Sequence, residues 1–181
     1  KRIVAAPTAG SCGVLPAVLL SYEKKVQCGY DQLVKALFVA AGIGEVIADR
    51  ASIAGAQGGC QAEIGSASAM AAGAVVYLQG GSSRQIIQGA AIALKGLLGL
   101  VCDPVGGLVE VPCIKRNVIG AVNAVTSADM ALAGIESVIP PDEVIDAMDE
   151  IGRNMSTKYR ETSEGGLAVT PTAQKLMKKL R

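Results

Sequence analysis

Small side chains dominate the apolar part of this sequence, and they recur at helical spacing almost everywhere. The stretch Ser66 to Val76 reads SASAMAAGAVV, and such small side chains let neighbouring backbones approach closely. With one Phe, four Tyr and no Trp, the core must be packed from small and aliphatic residues. Few stretches alternate apolar and polar residues as a half-buried strand would. The sequence therefore predicts an all-α fold, a compact multi-helix domain with small-residue-rich buried helices and three functional loops.

Helical spacing and start signals predict where the helices lie. Pro141 followed by Asp142 and Glu143 is a good helix start, and Asp31 and Ser83 are candidate N-caps. The predicted helices cover residues 14–25, 31–41, 44–56, 61–79, 83–98, 115–133, 141–154 and 171–180. The three segments without the pattern are the opening APTAGSCG, the loop 99–113 and residues 156–170. Loops of that length inside a compact helical domain are usually functional or disordered.

Charge and hydropathy patterns exclude several classes of protein. Seventeen basic and sixteen acidic residues leave a formal net charge of +1, and few aromatics are present to stack on bases, so no nucleic-acid partner is expected. The longest uncharged stretch, Ile64 to Ser83, is rich in Gly and Ser, which favours a buried bundle helix over a membrane span. We expect a cytoplasmic protein. Because the chain opens on Lys1 rather than Met, we also expect it to be part of a longer polypeptide.

Five cysteines and no histidine restrict the chemistry of this chain. The set is odd and has no C-x-x-C spacing, which is poor material for a secreted disulfide framework. Without His, the most common zinc ligand and general base are missing. Cys60 follows two glycines at a predicted helix start, where free N–H groups lower a thiol pKa. Cys102 and Cys113 flank a loop whose Pro and Gly residues force a turn, so both sulfurs can reach one point.

Three thiolates at Cys60, Cys102 and Cys113 suit a [4Fe–4S] cluster whose fourth iron stays open as a Lewis acid. The competing interpretation is that these cysteines are simply buried, since cysteine is a common core residue. Cys28 is most simply structural, and Cys12 could lie near the site without being a ligand. The spacing alone leaves both interpretations open.

Longer motifs carry more information than the spacing. Four segments together resemble the α domain of bacterial iron–sulfur-dependent L-serine dehydratases: RIVAAPTAGSCGVLPAVL, GAQGGCQAEIGSASAMAAGAV, LVCDPVGGLVEVPCIKRNVIGAVNA and STKYRETSEGGLAVTPTA. The resemblance implies an all-helical catalytic domain in which Cys60, Cys102 and Cys113 match the family's three cluster cysteines. It also implies that residues 1–181 form the C-terminal part of that domain. The β domain and the start of the α domain would then lie outside this chain, which we expect to be inactive alone.

The reaction that the resemblance implies is a β-elimination within amino-acid catabolism and gluconeogenesis. L-Serine loses water to 2-aminoacrylate, which becomes pyruvate and ammonium; iron is the electrophile, so no pyridoxal phosphate is required. The implied partners are a β domain or β subunit and further copies of the chain in a homo-oligomer. Some members carry a cysteine near the C-terminus that caps the open iron, whereas this chain ends KLMKKLR.

The opening segment is the favoured anchor for the substrate carboxylate. Thr8, Ser11 and the N–H groups of Gly10 and Gly13 precede a helix start, where an anion can be held. The alternative is that these residues only form a tight turn into the helix.

Charged residues just after Cys113 are further candidates. Arg116 could supply charge to the cluster or to the substrate carboxylate, and Lys115 is the candidate base within this chain. The alternative is that both residues only belong to a solvated first helical turn and have no role in the site. Glu63, one helical turn from Cys60, and residues 158–160 are weaker candidates for anchoring the substrate.

Three other functions fit the same residues. A related cluster-dependent lyase would act on L-threonine or L-cysteine with a different pocket. An electron-transfer or sensing module would use a closed cluster, and a helical interaction domain would merely bury its cysteines. A fourth protein ligand would favour electron transfer, whereas three ligands favour a lyase.

Overall fold

A computed structural model describes residues 2–180 of the chain, and over this range the fold is all-α with no β-strand, which confirms the predicted class. The α-helices are α1 (Val14–Val26), α2 (Tyr30–Arg50), α3 (Gly55–Gly58), α4 (Ser66–Leu78), α5 (Ser83–Lys95), α6 (Cys113–Leu132), α7 (Pro141–Asn154) and α8 (Pro171–Leu180). A π-helical turn, Gln61–Gly65, leads directly into α4, and short 3₁₀ turns lie at Ala9–Ser11, Val105–Gly107, Thr157–Tyr159 and Gly166–Val169. No helix within this range combines the length and the apolar character that crossing a membrane requires.

Helix α4 is the centre of the domain. Every residue from Ser66 to Val76 is buried, and α1, α2, α5 and α6 all pack against this helix. Glycine makes the closest approach possible, because a Cβ on Gly44 of α2 would lie only 2.9 Å from Met70 Sδ of α4. The predicted core of small and aliphatic side chains is therefore confirmed, with α4 as the helix that the others surround.

Helix α2 corrects the prediction of two helices at 31–41 and 44–56. The structure has one continuous helix from Tyr30 to Arg50, and the chain after it is irregular until α3 begins at Gly55. Gly44 does not end the helix, because its missing side chain serves the contact with α4 rather than a turn. Asp31 is not the N-cap either: Gly29 is, and Asp31 lies in the first turn, where a carboxylate favours the helix dipole.

Four other predicted helices differ at an end, and two agree at both; the smallest difference is in 14–25, which extends one residue further to Val26. The region 61–79 begins with the π-helical turn, 83–98 ends at Lys95, and 115–133 begins earlier, at Cys113. Ser82, not Ser83, caps α5, since its hydroxyl accepts from the Gln85 backbone N–H and the Gln85 side chain accepts in return. The predictions for 141–154 and 171–180 are confirmed.

Candidate functional site

Two of the three predicted cysteines lie side by side in the interior. Cys60 immediately precedes the π-helical turn and Cys102 lies in the loop after α5; they are 1% and 2% exposed. Their Sγ atoms and a carboxylate oxygen of Glu63 all lie within 4.8 Å of one another. Two thiols and one carboxylate at this separation form a set of donors that could hold a metal ion.

The third cysteine, Cys113, begins α6 and is also buried. It is not a member of the group within 4.8 Å, but it lies within the electrostatic reach of that group. Burial, followed by the negative charges of Cys60 and Glu63, raises the pKa of the Cys113 thiol to about 11. The structure thus brings Cys60, Cys102 and Glu63 together and places Cys113 beside them.

Glycines open the space around the thiols. A Cβ on Gly55 would lie 3.0 Å from Cys102 Sγ and 3.2 Å from Glu63 Oε2, so a larger residue there would fill the space between them. Gly59, with φ of +76°, turns the chain into Cys60, and a Cβ on it would lie 2.9 Å from the carbonyl oxygen of Leu100. The Gly-rich run before Cys60 therefore serves close approach as well as the turn.

Arg116 connects the two sides of the thiol pair. Its Nη1 atom donates to the Val101 carbonyl oxygen at 2.8 Å, lies 2.7 Å from Asp103 Oδ1, and lies 3.7 Å from Cys60 Sγ. The ion pair is buried, with side chains 16% and 3% exposed. The predicted role of Arg116 as a charge near the cysteine site has a geometric basis here, whereas Asp103 is a partner that the sequence did not reveal.

The two neighbouring thiols differ in their affinity for a proton. A hydrogen bond from Cys102 lowers the pKa of Cys60, and the Arg116 charge lowers it further, against the effect of burial. The same hydrogen bond, together with burial and the charge on Cys60, raises the pKa of Cys102. Of the two thiols, Cys60 therefore loses its proton more readily than Cys102.

The late loop, residues 156–170, packs against the loop 99–113, which contains Cys102 and is called the cysteine loop below. The Cys102 N–H donates to the Tyr159 carbonyl oxygen at 2.8 Å, and the Glu161 N–H donates to the Cys102 carbonyl oxygen at 2.9 Å. Asp103 Oδ2 accepts from the Leu167 N–H at 2.7 Å. Sequence reasoning missed Glu161, whose carboxylate lies near Gly55; burial and then the charge of Glu63 raise its pKa.

The opening segment lies against the same site. Thr8 Oγ1 donates to Glu63 Oε1 at 2.5 Å and lies 3.1 Å from Ser11 Oγ, and Ser11 is fully buried. Gly10 packs directly on the Glu63 carboxylate, where a side chain would not fit. The Gly13 N–H donates to the side chain of Asn117 at 2.9 Å. Thr8, Gly10 and Ser11 are therefore connected through Glu63 to the group that could hold a metal ion, and the Gly13 N–H is already hydrogen-bonded within the protein.

The remaining candidates differ in how exposed they are. Lys115 is exposed on the first turn of α6, and Lys158 and Tyr159 are exposed in the late loop. Arg160 is half-buried and its Nη1 donates to the Gln57 carbonyl oxygen at 3.5 Å. The other two cysteines, at positions 12 and 28, are free; the first is exposed and the second half-buried.

Comparisons with known proteins identify the family and several relatives of this chain. The family model described as serine dehydratase alpha chain matches residues 1–168. The probable L-serine dehydratase alpha chain of Bacillus subtilis is 58% identical over 98% of this chain, and that of Latilactobacillus sakei is 59% identical over 94%. L-Serine dehydratase 2 of Escherichia coli is 49% identical over 93% of this chain.

These relatives differ in how much of their length the chain covers. The match spans 59% of the Bacillus subtilis protein, 81% of the Latilactobacillus sakei protein and 37% of the Escherichia coli protein. The chain therefore corresponds to a part of the longer relatives.

Proposed function

The chain belongs to the serine dehydratase alpha chain family, and from that premise we propose that it contributes the cysteine-bearing catalytic site of an enzyme that converts L-serine to pyruvate and ammonium. Residues 1–181 would form the C-terminal part of the catalytic α domain. The whole enzyme would include a β domain or β subunit, assemble as a homo-oligomer and work in the cytoplasm. The single observation that supports this best is the meeting of Cys60, Cys102 and Glu63 in the interior.

The residues around the thiols fit a [4Fe–4S] cluster held by Cys60, Cys102 and Cys113. All three are buried, and the first two have sulfurs close enough to share one metal centre. Gly55 leaves space beside Cys102 that a side chain would occupy. The buried cation of Arg116 would offset part of the negative charge that three thiolates bring to a cluster.

When bound, a cluster with three protein ligands supplies a Lewis-acidic iron that makes the substrate hydroxyl a better leaving group. The residues of this chain would bind and orient the substrate around that iron. The hydroxyl groups of Thr8 and Ser11 lie beside each other, with Thr8 on Glu63, and Arg116 presents a cation that suits a carboxylate. Gly10 and Gly13 let this segment approach, since side chains there would meet Glu63 and Asn117.

The proton on the serine Cα must also be removed. Lys115 is the candidate base that we retain within this chain, and its exposed position on α6 leaves it free to meet a substrate or a neighbouring chain. Glu63 lies closer to the thiols, but its Oε1 already accepts the Thr8 hydroxyl proton, which suits a role in holding Thr8. Exchanging Lys115 for Met in the complete enzyme, with iron content as a control, tests the assignment of the base.

Replacing each cysteine tests the proposed cluster. We expect Cys60→Ser, Cys102→Ser and Cys113→Ser in the complete enzyme, reconstituted with iron and sulfide without air, each to lower iron content and abolish pyruvate formation. Cys28→Ser is the matched control, because this half-buried cysteine lies just before α2. Full iron content and activity in any of the three variants would contradict the assignment of that ligand.

A further inference from the structure

Two side chains hold the opening segment against the cysteine-bearing turns. Glu63 comes three residues after Cys60 and accepts the hydroxyl hydrogen of Thr8. Asn117 comes four residues after Cys113 and hydrogen-bonds to the backbone farther along the same segment. Each contact therefore connects the opening segment to a turn that carries a proposed cluster ligand.

Both polar atoms of the Asn117 side-chain amide form hydrogen bonds. Its Nδ2 donates to the Gly10 carbonyl oxygen at 2.7 Å and to the Cys113 carbonyl oxygen at 2.9 Å. Its Oδ1 accepts from the Gly13 N–H at 2.9 Å. Turning the amide over would put an NH₂ group against that N–H and an oxygen against two carbonyl groups, so the hydrogen-bond partners fix its orientation.

The backbone of the opening segment fits this contact closely. A Cβ on Gly13 would lie 3.0 Å from Asn117 Oδ1, and a Cβ on Gly10 would collide with the Glu63 carboxylate. Small residues at these two positions let the chain lie directly on Asn117 and Glu63. The position of Thr8 and Ser11 relative to the thiols thus depends on both contacts.

We infer that Asn117 is a positioning residue: by joining Gly10 and Gly13 to the first turn of α6, it fixes the substrate-anchoring segment relative to Cys113 and so sets the affinity for L-serine. The inference rests on the proposed function, since it takes Thr8 and Ser11 to bind the substrate. Asn117 acts through that segment, and no contact of its own with the substrate is required.

Helix α6 offers a matched control for testing this role. Asn123 is also half-buried, and its Nδ2 donates to Ser68 Oγ at 2.8 Å and to the Ala93 carbonyl oxygen at 2.9 Å, both within the helical core. Asn117→Asp and Asn123→Asp each keep the side-chain shape and replace the NH₂ donor by an acceptor. Both variants lose two hydrogen bonds, but only Asn117→Asp loses one to the opening segment, the bond to the Gly10 carbonyl oxygen; its Oδ1 can still accept from the Gly13 N–H.

The experiment compares both variants in the complete enzyme reconstituted with iron without air. We expect Asn117→Asp to raise the KM for L-serine roughly tenfold relative to Asn123→Asp, the scale of one or two lost hydrogen bonds, with a smaller change in kcat. Amide hydrogen exchange at residues 8–13, measured with and without iron, should be faster in Asn117→Asp than in Asn123→Asp. If Asn117→Asp does not fold, Gly13→Ala should raise KM in the same direction, because its new Cβ presses on Asn117 Oδ1.

Two results would overturn the inference. One is an equal KM and equal exchange at residues 8–13 in the two Asp variants, which would make Asn117 a core residue like Asn123. The other is faster exchange without any change in KM, which would separate the segment from the substrate. Failure of the wild-type enzyme to bind iron or form pyruvate would instead contradict the proposed function, and that result does not depend on Asn117.

Discussion

Arg116 is the residue through which α6, the cysteine loop and Cys60 are connected. One guanidinium nitrogen contacts the Val101 carbonyl oxygen, Asp103 Oδ1 and Cys60 Sγ. A cation removed from solvent needs paired negative charge, which Asp103 supplies, and its contact with Cys60 Sγ favours the thiolate form of that thiol. The same charge that stabilises the metal-free thiolate would also stabilise a negatively charged cluster.

We expect Arg116→Gln to raise the pKa of the Cys60 thiol in the metal-free chain. The pKa of Cys60 is lowered in the folded state, so its thiolate contributes stability above the ordinary thiol pKa and loses it as pH falls through the lowered value. Removing the cation shrinks this contribution and also leaves Asp103 buried without its partner, at a cost of about 3 kcal/mol. Ultraviolet thiolate absorbance against pH, together with urea unfolding, measures both effects.

The control for this prediction is Arg50→Gln. Arg50 forms an ion pair with Asp146 on the surface, where water screens the charges, so its loss should change the free energy of unfolding far less than the loss of Arg116. If the Cys60 thiol titrates at the same pH in the wild type and in Arg116→Gln, the cation does not act on this thiol.

The short segment from α3 to the π-helical turn is the element that places Cys60. Gln61 is fully buried; its Nε2 donates to the Met148 carbonyl oxygen and its Oε1 accepts from the Gly99 N–H, both at 2.9 Å. One side chain thereby fastens the π-helical turn to α7 and to the start of the cysteine loop. π-Helical turns are uncommon and frequently lie at functional sites, as this one does.

Gly59 and Gly80 allow a matched test of this element. Both have left-handed backbone, with φ of +76° and +77°, but a Cβ on Gly59 would meet Met155 Sδ and the Leu100 carbonyl oxygen, whereas a Cβ on Gly80 meets nothing within 4 Å. Gly80→Ala should cost on the order of 1 kcal/mol from backbone strain alone. Gly59→Ala should cost about 3 kcal/mol or more and lower iron content as well. Equal unfolding free energies for the two variants would refute this account of the turn into Cys60.

The sequence predicted the helices best where local signals agree with the tertiary contacts. Helix α7 begins at Pro141 as predicted, because the proline and the acidic residues after it act through capping and dipole effects, which are local. The interruption predicted at residues 42–43 is wrong, because α2 continues through it and packs on α4, with Gly44 against Met70, a contact between helices that the local sequence does not show. The π-helical turn also escaped, because its backbone depends on contacts with α7 and the loop after α5.

The parts of the candidate site that local sequence signals mark were also predictable. Cys60 stood out through the glycines before it, and Cys102 through the Pro and Gly residues after it. Glu161 did not, because its place beside Cys102 depends on pairing between two loops far apart in sequence. The ion pair between Arg116 and Asp103 likewise spans the loop and the helix.

At the scale of the whole molecule, a rigid helical core carries two irregular loops that contact each other. Helix α4 is buried along almost its full length, whereas the cysteine loop is exposed from Gly106 to Val111. Polar contacts tie this loop to the late loop, including the bond from Ser163 Oγ to the Pro104 carbonyl oxygen at 2.6 Å. Local stability should therefore fall from the core to the loops.

Metal binding should order the cysteine loop. We expect amides in residues 99–113 of the metal-free chain to exchange faster than those of α4, and to slow when iron and sulfide are restored without air. Metal binding and loop order are thermodynamically linked, because Cys102 and Cys113 can bind one cluster together only when the loop between them is ordered. The free energy of binding therefore also stabilises the ordered loop. Amide exchange before and after reconstitution measures this, with α5 as an internal reference. Equal protection in both states, with iron bound, would show that the loop is formed without the cluster.

Under the proposed function, three cysteines leave one iron of a four-iron cluster open to L-serine. Mössbauer spectroscopy of the complete enzyme, reconstituted with isotopically enriched iron without air, tests it most directly. Adding L-serine should change about a quarter of the iron signal and leave the remainder in place, because one iron in four lacks a protein thiolate. A spectrum unchanged by L-serine, or one that fits four equivalent thiolate-ligated irons, would contradict the account.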